Sequence, residues 1–490
     1  MKVWGSLVLF SLFILCLDAK PGIKVKITQR GLDFGTQFGL EFLKQRLKEE
    51  IFEDFHGQDT SGLTGLNYTI FKIRFETVEF PNASVSLKSG NEIKLLIKDA
   101  SATLTADWKL KSWLLSSGKL TVFISGVSVT AVATVSQDET GRPILLLESC
   151  QGSVDGIDIQ LDQSSRWMYK VFANFMERPL RNSLSLNLCP TIGTQIHRIN
   201  AELRQHQVRT QIDAFAIIDY SLVKSPLICG TFINLDLKGT IYPAADESEP
   251  PFKPDPFILP EEVDSMLYIG VSEYFFQTAS LAYYTSGAFD GSVAEQLSAY
   301  FMLTTETFAS IIPMVAQLYG NSLPVMLNLT TTAAPLINLH NGSFILVLAG
   351  SIDVLAVQPD STIQSMFSLY VTAKTHVSLT LFEKNLVPAL CLDSFNLSLA
   401  HSNVGFFKVS LLDNFMSFIL QNGIIPAANV KLKEGVPLPI LDSTILVEPV
   451  VTVHQGYLLI STDMTFKPSA VQRGDDDLQA IFDDISIIKT

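Results

Sequence analysis

FSLYVTAKTHVSLTL, residues 367–381, decides the fold of this 490-residue chain. Phe367, Leu369, Val371, Ala373, Val377, Leu379 and Leu381 alternate with Ser368, Thr372, Lys374, His376, Ser378 and Thr380. That is the two-residue period of a strand with one buried and one wet face. At about 3.3 Å per residue the run spans roughly 50 Å, long for a globular domain and suited to a strongly curved antiparallel sheet. The first half carries a second such run: Leu120, Val122 and Ile124 keep one phase, and Val127, Val129, Ala131, Ala133 and Val135 keep the other. The phase flips across Gly126, as a β-bulge makes it flip.

Helical spacing flanks these strands in both halves. GLDFGTQFGLEFLKQRL, from Gly31, repeats Phe34, Phe38 and Phe42, and GVSEYFFQTASLAYY, from Gly270, places Tyr274, Phe275 and Ala279. RWMYKVFANFMERPL sets Trp167, Met168, Val171, Phe172, Phe175 and Met176 on one pattern, interrupted at Pro179. FFKVSLLDNFMSFIL does the same with Phe406, Phe407, Leu411, Leu412, Phe415, Phe418 and Ile419. Both pairs are offset by 239 residues, which predicts an internal duplication. Each half is expected to be a long-stranded twisted sheet or barrel wrapped around two long helices, an α+β architecture.

Between the halves, PAADESEPPFKPDPFILP (243–260) holds six prolines among acids and reads as an extended strap. The expected organisation is a signal peptide at 1–19, a first domain at 20–242, a linker at 243–262, a second domain at 263–467 and an acidic tail at 468–490. The signal reading rests on Lys2, the apolar run Leu7–Leu17 and the small Ala19. Such a run is too short for a membrane span, so secretion is expected. N-x-S/T triplets at Asn67, Asn82, Asn328, Asn341 and Asn396 mark candidate glycosylation sites.

Four cysteines remain beyond the signal, too few to staple a fold of this size. Cys150 ends the strand-like LLLESC and Cys189 follows the helix interrupted by Pro179, so a bridge between them would tie helix to sheet. Cys229 and Cys391 sit in apolar strand-like contexts and are expected to be small buried hydrophobes. Net charge is −14, with residues 21–240 at +1 and residues 241–490 at −16. That balance excludes a nucleic-acid partner, which needs clustered lysine and arginine. No G-x-S-x-G, H-E-x-x-H, Walker or G-x-G-x-x-G motif occurs, and the seven histidines are scattered. Neither catalysis nor a cofactor is expected. With 47% hydrophobic and only 17% charged residues, surplus apolar side chains must line something.

PGIKVKITQRGLDFG at Pro21, the Cys150/Cys189 pair, IDYSLV at Ile218, LYIGVSEYFFQTASL at Leu267, HSNVG at His401 and GVPLP at Gly435 occur in order along nearly the whole chain. In these segments the chain resembles the secreted lipid-binding proteins typified by bactericidal/permeability-increasing protein (BPI), lipopolysaccharide-binding protein and the phospholipid and cholesteryl ester transfer proteins. PPFKPDPFILP with SMLYIG, and GYLLISTD near the end, look most like the BPI fold-containing family C branch. The resemblance implies two pseudo-symmetric barrel-plus-helix domains, joined by a central antiparallel sheet into a boomerang. It also implies an apolar pocket for a phospholipid or related amphiphile in each domain. Candidate walls are Phe38, Trp167, Val171, Phe172 and Phe175 in the first and Phe275, Phe407, Leu411, Phe415 and Ile419 in the second. Taken singly, each of these reads as ordinary core before it reads as a lipid contact.

Two departures qualify what the resemblance implies. Relatives that bind lipopolysaccharide present clustered cations at the first domain's tip. Here that tip, ADWKLKSWLLSSGK, offers Lys109, Lys111 and Lys119 beside the acidic KEEIFEDFHGQD. High-affinity lipopolysaccharide binding is therefore not expected, which leaves a lipopolysaccharide-binding protein of innate immunity as the alternative to a phospholipid binder, while Trp108, Trp113 and Leu114 remain candidates for contact with a membrane surface. In the tail, Leu478, Ile481, Phe482, Ile485 and Ile488 form one helical stripe. Similarity to the cholesteryl ester transfer member makes it an amphipathic lid, and composition alone makes it a frayed acidic end. Oligomeric state is not legible.

Overall fold

The computed structural model describes residues 20–49, 54–59, 66–88, 90–111, 115–161, 166–205, 207–289, 291–292, 302–440 and 444–466. The expected signal segment, Trp113 and Leu114 at the tip, and the tail beyond residue 466 lie outside them.

Period two becomes strand where it was strongest. Ile363–Phe382 runs unbroken, with Phe367, Leu369, Val371, Ala373 and Val377 buried. The polar interruption at Thr375 is buried as well, and its hydroxyl donates to the Leu346 carbonyl at 3.0 Å. Ile363–Phe382 lies between Ser343–Val357 and Asn385–Ser402 in a sheet completed by Val325–Thr331, Leu336–His340 and two short edge segments. The first half has its counterpart in Leu66–Glu79, Glu92–Lys111, Leu115–Gln137 and Pro143–Leu161, with Phe55–Asp59 and Asn82–Lys88 added at the side. Gly126 takes φ +63°, the register against Glu92–Lys111 shifts on both sides of Ala100, and the buried phase moves from Ile124 to Val129. Both outer sheets are fully antiparallel and open; among the described residues neither closes into the barrel that was one of the two expectations.

A six-stranded central sheet joins the halves in the order Leu227–Cys229, Phe232–Leu237, Ile23–Thr28, Leu267–Ser272, Tyr457–Phe466, Thr444–His454. Ile23–Thr28 from the first half and Leu267–Ser272 from the second form its middle pair. Each leads straight into a helix, α1 (Gln29–Glu49) in the first half and its counterpart Glu273–Thr285 in the second. The duplication is therefore real in architecture, but its offset is 244 residues (Gln29 to Glu273), not 239. Aligning the apolar faces of two helices tolerates a shift of a turn or so, whereas the strand-to-helix junction does not. Gly270 accordingly lies in a strand, not at a helix start.

The second helix of the first half, α2 (Arg166–Gln205), continues through Pro179 and Pro190, so Cys189 lies inside it rather than after it. A mid-helix proline costs about 3 kcal/mol. Leu180, Leu184 and Leu188 packed on the sheet, and the Cys150–Cys189 disulfide, offset that cost. In the second half α3 (Glu273–Thr285) is followed by short α4 (Thr305–Ala309) and α5 (Pro313–Leu318). The expected helix at 406–420 starts later, as a 3₁₀ turn at Val409–Leu412. It then passes through α6 (Asp413–Ile419), a π-turn at Leu420–Ile424 and α7 (Ile425–Leu432).

One duplicated device escaped the sequence reading. The Asn200 side chain of α2 accepts from the Leu145 amide at 2.8 Å and donates to its carbonyl at 2.7 Å. Asn429 of α7 does the same to Leu390, at 2.7 and 3.0 Å. Each clamp grips its strand three residues before a bulge, at Glu148 and at Asp393.

The proline strap lies along the central sheet. Phe257 is buried against Tyr457, ring centroids 5.0 Å apart, and a Cβ on Gly270 would sit 2.5 Å from Leu259 and 2.7 Å from Phe257. Buried Lys26 donates to the Pro260 and Glu262 carbonyls, both at 2.8 Å, with its ammonium 4.4 Å from the Phe232 ring. At the strap's start Lys238 pairs with Glu249 at 2.8 Å, and the Tyr242 hydroxyl donates to Glu249 at 3.0 Å. Burial opposes ionisation of Glu249, but these two partners outweigh it and hold its pKa below the ordinary glutamate value. The folded state then binds the proton less readily than the unfolded one. The contribution is complete above the unfolded pKa and is lost as pH falls through the folded one. Lys238→Met is expected to move the loss of strap docking to higher pH, read as hydrogen exchange of residues 244–252 during acidification; an unchanged profile would mean that Glu249 does not hold the strap.

Candidate functional site

The two junction helices differ in how completely they pack. On α3, Tyr274, Phe275 and Ala282 are buried. On α1, Gly31 is the one residue among those described that is fully buried, and Leu32, Phe34, Phe38, Leu40, Phe42, Leu43 and Leu47 are all only half-buried. Glycine spacing explains part of this. A Cβ at Gly31 would meet the Met266 carbonyl at 2.8 Å and Met464 at 3.0 Å, so α1 is pressed against the central sheet there. One and two turns on, Gly35 and Gly39 have no atom within 4 Å of the Cβ position, and the helix flank is open.

Beside this flank three rings cluster. Phe34 and Phe38 lie 6.4 Å apart, and Phe466, the last described residue of its strand, lies 6.1 Å from Phe34 and 5.2 Å from Phe38. Phe34 also lines an open groove of about 480 Å³ with Gln29, Arg30, Asp33, Gln37, Thr231, Val263 and Met266. That volume falls within the range of small-molecule pockets. The Arg30 guanidinium pairs with Asp463 at 2.6 Å and also donates to the Asp264 carbonyl. Gln29 bridges Asp33 and the Val85 carbonyl, each at 2.7 Å. The groove thus offers a polar mouth with one half-exposed cation, next to an aromatic flank.

Of the expected pocket walls, Phe38 stands at this cluster. Trp167, Val171, Phe172 and Phe175 lie in α2, but their side chains are outside the described residues. In the second half, Phe275 is buried in the central core. Phe407, Phe415 and Ile419 pack into the outer core, where edge-on contacts link Phe308 to Phe367 and Phe415 and link Phe367 to Phe407. Leu411 faces solvent. The residues that sequence reasoning missed are Arg30, Asp33, Gln37, Met266 and Phe466. The available signal was Gly31, Gly35 and Gly39 at four-residue spacing beside Phe34 and Phe38.

At the first domain's tip Trp108 is not at the surface. It is 2% exposed, in the first outer core, and Gly118 leaves room for the indole, its Cβ position lying 3.2 Å from Nε1. Alternation along Glu92–Lys111 turns Lys109 outward instead, over the Phe71 ring at 4.9 Å, and Lys72 pairs with Asp107 at 2.9 Å. Lys111 pairs through its backbone with Asn67. Cys391, expected to be buried, is exposed: it stands opposite His376 on the outer face of its sheet. Asn67, Asn82, Asn341 and Asn396 are exposed, and Asn328 is half-buried.

Two family models match the chain: the N-terminal domain of the LBP/BPI/CETP family over residues 31–205 and its C-terminal domain over residues 210–466. The BPI fold-containing family C protein of Homo sapiens is 35% identical over 477 residues, covering 96% of this chain and 94% of that protein. The lipopolysaccharide-binding protein of Homo sapiens is 27% identical over 456 residues, covering 92% and 95%. A crystal structure of lipopolysaccharide binding protein matches with a TM-score of 0.58 at 25% identity, covering 91% of this chain and all of that one. Among the described residues no helix is long and apolar enough to cross a membrane.

Proposed function

We propose, from the premise that this chain belongs to the LBP/BPI/CETP family of lipid-binding proteins, that it is a secreted, non-enzymatic carrier of one phospholipid-like amphiphile held against α1. The observation that carries this reading is the contrast between α1 and α3: the same structural position is closed by packing in one half and left half-open in the other. The acyl chain lies along Phe34, Phe38 and Phe466 and the open flank at Gly35 and Gly39, and the head group meets Arg30 and Gln37 at the groove. Each buried CH₂ contributes about 0.8 kcal/mol, so an acyl chain supplies adequate binding energy without a formal charge pair. The exposed triplets at Asn67, Asn82, Asn341 and Asn396 suit glycans on a secreted chain.

Mass spectrometry of lipid extracted from the purified protein tests the reading. Wild type is expected to carry about one phospholipid per chain. Gly35→Phe with Gly39→Phe, which fills the open flank and removes two helix-weakening glycines, is expected to lose bound lipid at least tenfold with melting temperature unchanged or raised. Equal lipid content in both proteins, or none in wild type, would sink it. Lipopolysaccharide is the second reading, supported by the 27% identical relative's name and by exposed Lys109 and Lys119. It is favoured less because Asp107 engages Lys72 in the same place.

A further inference from the structure

The far end of the second outer sheet carries a surface that the groove does not use. Leu379 and Leu381 of Ile363–Phe382 pack on the central core, so the opposite end of that strand is distal. Its partners' Val357 and Ser402 ends lie there too. At this end Phe406 is 88% exposed, Met302 79%, Ile363 57%, Leu318 56%, Leu411 52% and Met314 41%. These are not scattered. Met314 and Leu318 lie one turn apart on α5, and Met314 reaches within 3.7 Å of the Cβ position of Gly405, the residue before Phe406.

The outward aim of Phe406 is built into the backbone. Phe407 is buried with its ring 5.1 Å from that of Phe367. Gly405 takes φ +81°, and the Ser402 hydroxyl donates to the Gly405 carbonyl at 2.6 Å. An inward Phe407 fixes an outward Phe406, so little ordering remains to be done on docking. Charge is sparse around it: from Met302 to Thr331 the sequence has one charged residue, Glu306, and the adjoining loops add Asp360, Lys408 and Asp413. A contiguous exposed apolar patch with so few charges marks a docking surface rather than ordinary solvent-facing protein.

We propose that this distal end docks on a neutral, zwitterionic lipid surface, inserting Phe406 with Met314 and Leu318 among the acyl chains. The charge pattern selects that occupant. An anionic membrane would call for lysines, which the patch lacks apart from Lys408, and a protein partner or second copy would draw register and specificity from complementary charges. Side chains presented by a helix, Met314 and Leu318, and by a separate loop, Phe406, suit a fluid surface better than a rigid one. The inference does not depend on the groove beside α1, since surface docking and lipid retention are separate readouts.

Co-sedimentation of the full chain with pure phosphatidylcholine vesicles tests it. Wild type is expected to bind equally from about 20 mM to about 500 mM salt. Phe406→Ser is expected to lower vesicle affinity about tenfold, and Leu318→Ser, on a different element, to lower it independently, while extracted lipid per chain stays at the wild-type level in both. Both residues face solvent, so the variants keep the wild-type melting temperature. Wild-type vesicle affinity in both variants would overturn the proposal, as would a steep fall in binding with salt. A vesicle-free dimer that Phe406→Ser dissolves would overturn it in favour of a second copy of the chain.

Discussion

Phe367→Ala is expected to destabilise the second domain by about 3–5 kcal/mol, the largest single-residue effect we anticipate. Phe367 is fully buried and is the ring through which Phe308 and Phe407 communicate, with centroids 5.7 and 5.1 Å from its own. Truncation leaves a cavity whose walls are strands pinned on both sides, so the site cannot collapse to fill it, and two edge-on ring contacts are lost in addition. Urea denaturation followed by far-UV circular dichroism measures the change; a loss below about 1 kcal/mol would show that the aromatic core is plastic. A functional corollary is separable. Phe407 loses the wall that keeps it inward, so vesicle docking weakens although Phe406 itself is untouched, while lipid held at α1 is unaffected.

The second large effect is expected from Cys150→Ala with Cys189→Ala. The bridge joins Pro143–Leu161 to α2 across 39 residues, and in the chain-entropy account a closed loop of that length is worth about 4 kcal/mol. Most of the cost falls on α2, whose two internal prolines leave it dependent on tertiary support. Hydrogen exchange resolved along the chain is expected to show protection lost first in residues 180–205. A uniform loss over the whole molecule would place the stabilisation in the unfolded chain alone.

What could be read from sequence follows from how each element is stabilised. The strand around Val371 was legible because one face is buried and the other wet, and the bulge at Gly126 because a phase flip leaves a trace in residue order. The duplication was legible but mis-registered, since helix faces repeat every few residues and several offsets superpose them equally well. The continuity of α2 through Pro179 was not legible, because the leucines and the disulfide that stabilise it act from another element. The burial of Trp108 depends on the space above Gly118, and the exposure of Cys391 on which face a register shift assigns it. Neither is a local property. At the candidate site the phenylalanines of α1 stood out, whereas Phe466 and Met266 reach it from the other half of the chain, where no local pattern could announce them.

The middle pairing of the central sheet has a consequence for biogenesis. Ile23–Thr28 leaves the ribosome well before both its neighbours, Phe232–Leu237 and Leu267–Ser272, which are synthesised roughly two hundred residues later. Its two edges therefore stay open while that intervening chain is made, and the sheet that unites the halves is expected to close late and slowly. A nascent chain arrested before residue 232 would display an unpaired apolar strand to every chaperone in its compartment.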